Sequence, residues 1–155
     1  MEIVLFLQYL IIGIISFSGL LVGKLLALIA PEEIFPGKRN LILFQKVIFV
    51  LLSLVFIFVL DILWIRIVIL ILLAYFLFRV KIKSINTNNN YYLLYTAIGL
   101  FLGMTSIKYL IYPAFLIFLL GIPIAVFNRN QKLNVFIKIF LVFFIFYIMA
   151  FLYII

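Results

Sequence analysis

Long apolar runs separated by short polar segments make up almost the whole chain. An α-helix needs roughly 20 apolar residues to cross the ~30 Å hydrocarbon core of a bilayer, and most of the runs are about that long. The pattern predicts an all-α integral membrane protein, a bundle of about six short transmembrane helices in one membrane domain. The predicted helices cover residues 3–30, 41–60, 62–78, 91–107, 109–127 and 135–155.

Two of the predicted helix boundaries rest on different kinds of evidence. Pro31 is expected to end the first helix, and the segment up to Gly37 is expected to form an interfacial turn followed by a tight turn. The apolar run 41–78 would measure roughly 55 Å as one helix, which is too long for a single crossing. The step from Asp61 to Arg66 is the only plausible place for this run to fold back, and Trp64 within it favours a membrane interface.

Composition supports the membrane class and removes several kinds of chemistry. Apolar residues make up 70% of the chain and charged residues 10%, and the mean hydropathy is +1.50. A water-exposed surface cannot be built from so few polar residues. The chain has no Cys and no His, which excludes disulfides, thiolate or imidazole metal sites and histidine acid–base catalysis. We therefore expect no cofactor and no metal.

The basic residues are distributed unevenly between the predicted loops. Nine of the twelve lie in or beside the first, third and fifth loops: Lys38, Arg39, Lys46, Arg79, Lys81, Lys83, Arg129, Lys132 and Lys138. The second and fourth loops carry only Arg66 and Lys108. By the positive-inside rule, the basic loops face the cytoplasm and both chain ends lie outside, in the cell (inner or plasma) membrane. The net charge of +8 then favours anionic lipid headgroups as partners, and the short loops offer no extended surface for nucleic acid.

A small-residue motif occurs twice, eighty positions apart. The pattern small-x-x-Gly-Leu-x-x-Gly begins at Ser16 and again at Thr96. Its glycines are Gly19 and Gly23 in the first predicted helix and Gly99 and Gly103 in the fourth. Glycines at this spacing let helices pack closely in a membrane. The same recurrence also fits a 3+3 inverted pseudo-repeat, in which two halves of opposite orientation meet at a binding site.

Lys24 is the sharpest single candidate for function. A charge inside a transmembrane span costs at least about 2.5 kcal/mol at the bilayer centre, so its presence needs a reason. The lysine stands close enough to Pro31 for its side chain to reach the headgroups by snorkelling. Alternatively, it faces the glycine groove and pairs with Glu32, with Glu33 or with an anionic lipid or substrate.

A second candidate lies in the fifth predicted helix, at Gly121 and Pro123. Proline inside a helix leaves one backbone carbonyl without its N–H donor. This arrangement produces either a simple kink or a broken helix whose free carbonyls coordinate an ion, as in some transporters.

Three classes of function remain open on these residues. A non-catalytic subunit or scaffold of a membrane assembly is preferred, because the spans contain few ionisable groups; its partner would be another membrane protein or a second copy of the chain. A small transporter, channel or lipid-handling protein would use Lys24, Gly121 and Pro123. An intramembrane enzyme would have to use Glu32, Glu33 or Asp61, and the two adjacent glutamates project differently from a helix. The sequence thus indicates a polytopic membrane protein and leaves its activity undetermined.

Overall fold

The structure, a computed structural model, describes residues 2–60, 63–80, 88–127 and 133–154. Within these ranges it consists of six α-helices and contains no β-strand. The helices are α1 (Glu2–Ile29), α2 (Pro31–Val59), α3 (Leu63–Val80), α4 (Asn88–Gly103), α5 (Ile111–Phe127) and α6 (Leu133–Ile154). The all-helical class and the six helices predicted from the hydrophobic pattern are confirmed. Asp61 and the polar segments 81–87 and 128–132 lie outside the described residues.

The connection between α1 and α2 is shorter than the sequence suggested. Ala30 alone separates the helices, with φ −125° and ψ 59°, and Pro31 is the first residue of α2. Proline disfavours a helical residue before it and suits the first helical position, which explains the break. The tight turn predicted at Pro36 and Gly37 is wrong, because α2 continues through both residues. Pro36 lies in the second turn of α2, where it removes the N–H that would otherwise donate to the Glu32 carbonyl, and the helix continues despite this loss.

The fold-back inside the apolar run 41–78 occurs where the polar step predicts it. α2 ends at Val59, and Leu60 adopts an extended conformation with φ −89° and ψ 117°. Arg66, in the first turns of α3, donates from Nε to the Leu60 carbonyl at 2.7 Å. A cation at this position also interacts favourably with the negative end of the α2 dipole. Arg66 therefore stabilises the turn between α2 and α3.

The connection between α4 and α5 is a compact non-helical segment, residues 104–110. The fourth helix was predicted to reach residue 107 and the fifth to begin at 109, but α4 ends at Gly103 and α5 begins at Ile111. Short-range backbone bonds close the segment, among them Tyr109 N–H to the Ser106 carbonyl at 3.0 Å. Thr105 and Leu110 are completely buried. This turn is therefore part of the packed interior.

The six helices pair in an order that differs from their order along the chain. α1 packs chiefly against α5, α4 against α6, and α2 against α5 and α3. Aromatic side chains fill the space between α1, α4 and α6: the Phe17 ring lies 4.9 Å from that of Phe140, 5.8 Å from Phe143 and 5.9 Å from Tyr95, centroid to centroid. The aromatic core thus lies where α1 meets α4 and α6.

One end of the bundle brings together four helix ends. Leu26 near the end of α1, Gly37 near the start of α2 and Val126 at the end of α5 line one surface. Lys24 of α1 lies over the ring of Phe136, in the first turn of α6. We call this the basic end, because Lys24, Arg39 and Lys138 lie within the two or three turns of α1, α2 and α6 nearest to it. Lys46, which the sequence pattern assigned to the first loop, lies in the middle of α2.

At the opposite end of the bundle, the start of α1 lies near the ends of α2 and α4. Tyr9 of α1 is hydrogen bonded to Thr105, which follows α4. The rings of Phe56, near the end of α2, and Phe101, near the end of α4, lie 5.6 Å apart. The described basic residues at this end are Arg66 and Lys108. Successive helices therefore run up and down the bundle, and the two ends differ in charge.

Three helices are long and apolar enough to cross a membrane. The segments are Val4–Ile29 in α1, Arg39–Val59 in α2 and Asn134–Leu152 in α6. Shorter apolar helical segments occupy Leu94–Gly103 and Ile111–Phe127. The criterion is length and composition, and it applies to the described part of the chain.

The outward faces of the helices are also apolar. Phe58 of α2 is 80% exposed, and Ile29 of α1 and Trp64 of α3 are each 77% exposed. On α6 the exposed positions recur every three or four residues, which marks one face of a helix. These positions are Ile137, Leu141, Ile145, Met149 and Leu152. The bundle thus presents large hydrophobic side chains over its surface as well as in its core.

Candidate functional site

The glycines of α1 form a close contact with α5. A Cβ built on Gly23 would lie 2.8 Å from the Cα of Ile122, and one built on Gly121 would lie 2.7 Å from the backbone nitrogen of Leu20. Gly19 meets the backbone of α5 in the same way, at Phe118. Backbone atoms cannot rotate out of the way as a side chain can. Only glycine fits at these three positions while α1 and α5 stay at this distance; we call this contact the α1–α5 seam.

The glycines of the second motif make an equivalent contact between α4 and α6. A Cβ on Gly99 would lie 2.7 Å from the carbonyl oxygen of Phe143. One on Gly103 would lie 2.7 Å from the Cβ of Ala150 and would also meet the backbone of Tyr147. Both copies of the motif therefore lie at close helix contacts, but their partners, α5 and α6, are different helices.

Pro123 lies inside α5, which is continuous from Ile111 to Phe127. Its side chain is buried, as is Gly121. A helix broken at this point, the arrangement that would expose carbonyls to an ion, is therefore absent from α5. Gly121 contributes to the α1–α5 seam, and Pro123 is packed into the core beside it.

Lys24 is half-buried and directed towards α6. Its Nζ lies 4.6 Å from the centroid of the Phe136 ring, within the range of a cation–π interaction. Phe136 is only 3% exposed, so the contact is partly shielded from solvent. The ring face offers a partly buried ammonium group a favourable electrostatic partner. The lysine thus contributes to the contact between α1 and α6 at the basic end.

The acidic candidates lie at the start of α2 or outside the described residues. Glu32 is exposed in the first turn of α2, where a carboxylate interacts favourably with the helix dipole. Glu33 belongs to the same turn, although its side chain is not among those described, and Asp61 lies outside the described ranges. In the described part of the chain, no three acidic, His or Cys side chains come together in a way that could hold a metal ion.

A groove of about 770 Å³ lies at the basic end, between α1, α2 and α5. Small-molecule sites in proteins have about this volume. Its lining residues are Leu26 and Ala30 of α1, Gly37, Asn40, Leu41, Leu43, Phe44 and Val47 of α2, and Ile122 and Val126 of α5. The α2 positions follow helical spacing, so they form one face of that helix. We call this surface the α1–α2–α5 groove.

The chemistry of the groove is that of an apolar binding surface with one polar end. Asn40 is its only polar side chain, and none of the lining residues is ionisable. No atom lies within 4 Å of a Cβ built on Gly37, so the missing side chain at this position leaves open space. Arg39, next to Asn40 and exposed, adds a positive charge at the same level of α2. The groove can hold an apolar chain, and it offers no residue for acid–base or nucleophilic catalysis.

Sequence reasoning missed a chain of buried hydroxyl groups at the opposite end. The Tyr147 hydroxyl donates to the main-chain carbonyl of Tyr9 at 2.8 Å, and the Tyr9 hydroxyl donates to the carbonyl of Thr105. These three residues are at most 7% exposed. A Cβ on Gly13 would lie 2.7 Å from Cε1 of Tyr147, so this glycine makes room for the tyrosine ring.

This chain of hydroxyl groups has a structural explanation. Thr105 belongs to the non-helical segment 104–110, whose carbonyls lack the regular partners of a helix. A buried carbonyl without a donor is costly, and the Tyr9 hydroxyl supplies one. The available sequence signal was the presence of two tyrosines well inside apolar helices, since a buried tyrosine hydroxyl usually has a hydrogen-bond partner.

No protein-family model, no curated protein and no solved structure matches the chain.

Proposed function

We propose that the chain is a multi-pass integral membrane protein, with all six helices in the bilayer, and that it serves as a non-catalytic subunit or scaffold of a membrane assembly. The observation that carries the membrane part is the apolar outer surface. Phe58, Ile29 and Trp64 are each more than three-quarters exposed. Leaving such a side chain in water instead of burying it costs about 1.5–3 kcal/mol, whereas lipid is a suitable solvent for it.

The two shorter helices, α4 and α5, also fit this proposal. They have 16 and 17 residues, fewer than the roughly 20 needed for a full crossing. The segment 104–110 joins them, and non-helical backbone is tolerated at membrane depth where protein covers it. Thr105 and Leu110 are completely buried, and Tyr9 provides a hydrogen bond to the segment.

The proposed orientation places the basic end in the cytoplasm and both termini outside. Positively charged residues favour the cytoplasmic side. Lys24, Arg39 and Lys138 lie towards one end of the bundle, and Arg66 and Lys108 lie at the other. Anionic lipid headgroups are then the natural partners of the basic end. We propose the cell membrane as the location, because it carries such headgroups on its cytoplasmic face.

The packed interior favours a structural role over transport. Leu102, Ile117, Leu120 and Phe143 have no exposed surface, and glycines bring the helix pairs into direct backbone contact. The buried hydroxyls of Ser16, Ser53 and Thr105 all donate to main-chain carbonyls. Such groups stabilise helices and turns; a transport path would need polar groups facing a continuous cavity.

A small transporter, channel or lipid-handling protein is the alternative proposal. It is favoured by the half-buried charge of Lys24 and, for lipid handling, by the α1–α2–α5 groove. The 3+3 pseudo-repeat that would accompany a transporter finds no support in the helix contacts. Its symmetry would make α5 equivalent to α2, yet the glycines of α1 meet α5 while those of α4 meet α6.

Cysteine labelling tests the membrane topology directly, because the chain contains no cysteine. The substitutions Leu63→Cys and Glu32→Cys place single thiols at exposed positions of the opposite end and the basic end. We expect a membrane-impermeant maleimide to label the Leu63→Cys variant, at the α2–α3 turn, in intact cells, and the Glu32→Cys variant only after permeabilisation. Labelling of both variants in intact cells would refute the crossing, and the reverse pattern would refute the orientation.

Purification in mild detergent from the native host tests the scaffold role. We expect other membrane proteins to co-purify in fixed stoichiometry, which mass spectrometry of the intact particle measures. A particle that contains only this chain would contradict the role. Flux measurements in liposomes, comparing the native protein with a Lys24→Leu variant, would then test the transporter alternative.

A further inference from the structure

We propose that the α1–α2–α5 groove is a specific binding site for an anionic glycerophospholipid, with one acyl chain in the groove and the headgroup at Asn40 and Arg39. This inference rests on the proposed membrane location. It goes beyond the general attraction of a basic surface for anionic lipid, since it assigns one lipid molecule to the α1–α2–α5 groove.

The length of the groove matches one leaflet of a bilayer. Its lining on α2 extends from Gly37 to Val47, ten residues or about 15 Å along the helix axis. Half of the ~30 Å hydrocarbon core is also about 15 Å. In the proposed orientation the basic end faces the cytoplasm, so the polar end of the groove, at Asn40 and Arg39, lies towards the headgroups. An acyl chain entering there would run along the helix towards the bilayer centre.

The polarity of the groove follows the polarity of a lipid molecule. Its deeper part is lined by Leu43, Phe44 and Val47 of α2 and by Ile122 of α5. Its outer part offers the Asn40 amide, which can hydrogen bond to phosphate or glycerol oxygens. Arg39 precedes Asn40 on α2 and is exposed, and a guanidinium suits phosphate. With a net charge of +8 and no acidic lining residue, the site favours a negatively charged headgroup over a zwitterionic one.

The groove also needs an occupant for physical reasons. Empty space beside apolar side chains forfeits dispersion contacts, so a groove of about 770 Å³ open to the bilayer will not stay empty. Gly37 and Ala30, the two smallest lining residues, keep its outer part open. A Cβ atom at position 37 would project into this open space without touching its neighbours.

Fluorescence quenching by brominated lipid can test the site, since Trp64 is the only tryptophan. In a Trp64→Phe background, Phe44→Trp places the reporter in the groove. Leu25→Trp places it at the same level of the bundle but outside the lining, where the side chain is 57% exposed. Phe58→Trp, at an 80% exposed position further along α2, reports contact with lipid in general. Each variant is reconstituted in phosphatidylcholine liposomes containing increasing fractions of brominated phosphatidylglycerol.

We expect half-maximal quenching of the Phe44→Trp variant at a roughly fivefold lower fraction of brominated phosphatidylglycerol than for Leu25→Trp. A fivefold ratio corresponds to about 1 kcal/mol, the contribution of one basic residue near a membrane surface. Brominated phosphatidylcholine should quench both variants equally. Adding Gly37→Leu or Arg39→Gln should abolish the difference, whereas Lys138→Gln, which removes another exposed charge at the basic end, should preserve it.

Three results would overturn the proposal. Equal quenching of the Phe44→Trp and Leu25→Trp variants at every lipid fraction would mean that the groove binds no particular lipid. Equal enrichment of brominated phosphatidylcholine at the groove would refute selection of an anionic headgroup. Loss of selectivity with Lys138→Gln as well as with Arg39→Gln would show that the selectivity comes from the general positive charge of the surface. Absence of quenching at Phe58→Trp would instead refute the membrane location itself, so the two failures are distinguishable.

Discussion

The α1–α5 seam predicts opposite effects for the same substitution at two glycines. In Gly121→Ala, the new Cβ would lie 2.7 Å from the Leu20 nitrogen and 2.9 Å from the carbonyl carbon of Gly19. In Gly37→Ala, no atom lies within 4 Å of the new Cβ. Both glycines lie inside helices, so both substitutions gain the same helix propensity. Only Gly121→Ala also requires two backbones to move.

The expected magnitude follows from these distances. Ordinary van der Waals contact begins near 3.4 Å, so α1 and α5 must separate until the 2.7 Å contact of Gly121→Ala reaches that value. The separation also loosens the contacts at Gly19 and Gly23. Overpacking of this kind costs about 1–3 kcal/mol, and alanine recovers at most about 1 kcal/mol of helix propensity. We expect Gly121→Ala to destabilise the protein by up to about 2 kcal/mol, and Gly37→Ala to stabilise it by about 0.5–1 kcal/mol.

Unfolding in mixed micelles with increasing dodecyl sulfate measures this difference. Far-UV circular dichroism follows the helices, and the fluorescence of Trp64 reports the α2–α3 turn. The two probes must give the same midpoint before a free energy of unfolding is derived. If the free energies of Gly121→Ala and Gly37→Ala agree within about 0.5 kcal/mol, the seam is not a tight contact and the helix pairing derived from it is wrong.

Two further predictions use the same unfolding measurement. Tyr9→Phe should destabilise the protein by about 1–3 kcal/mol, because it leaves the buried Thr105 carbonyl without its donor. Tyr147→Phe should cost less, because the Tyr9 carbonyl also lies within the hydrogen-bonded α1 helix. Equal costs for the two variants would contradict this account. For Lys24, a double-mutant cycle with Lys24→Met and Phe136→Leu should give a coupling of about 0.5–2 kcal/mol, the value of a partly shielded cation–π pair. No measurable coupling would exclude that contact, and the cycle of Lys24→Met with Phe144→Leu provides the control.

The hydrophobic pattern was sufficient to predict the number and type of the helices. Apolar runs longer than a helix turn can only be buried or placed in lipid, and polar steps such as Asp61 to Arg66 mark where they fold back. The pattern was not sufficient at Pro36 and Gly37. Both residues favour turns in isolation, but α2 begins at Pro31 and continues through them, so tertiary context overrides the local preference.

The pairing of the helices could not be predicted from the sequence. Glycine spacing marks positions where another backbone can approach, yet it does not identify the approaching helix. Gly19 and Gly99 occupy the same place in the repeated motif, but one meets α5 and the other meets α6. The α1–α2–α5 groove depends on three helices from distant parts of the chain, and the Tyr9–Thr105 bond joins residues 96 positions apart. Such features depend on tertiary packing.

In the proposed membrane location, the two ends of the bundle meet different physical requirements. Association of helices gains little from the hydrophobic effect there, so close packing and satisfied backbone groups must hold them together. At the opposite end, the Tyr9 hydroxyl donates to the backbone of a buried turn, so a side chain of the protein itself satisfies that carbonyl. At the basic end, Gly37 and Ala30 leave α1, α2 and α5 incompletely packed against one another. A lipid chain in the groove would supply the missing contacts, which makes the proposed lipid a structural part of the bundle and links its binding to the stability of a membrane scaffold.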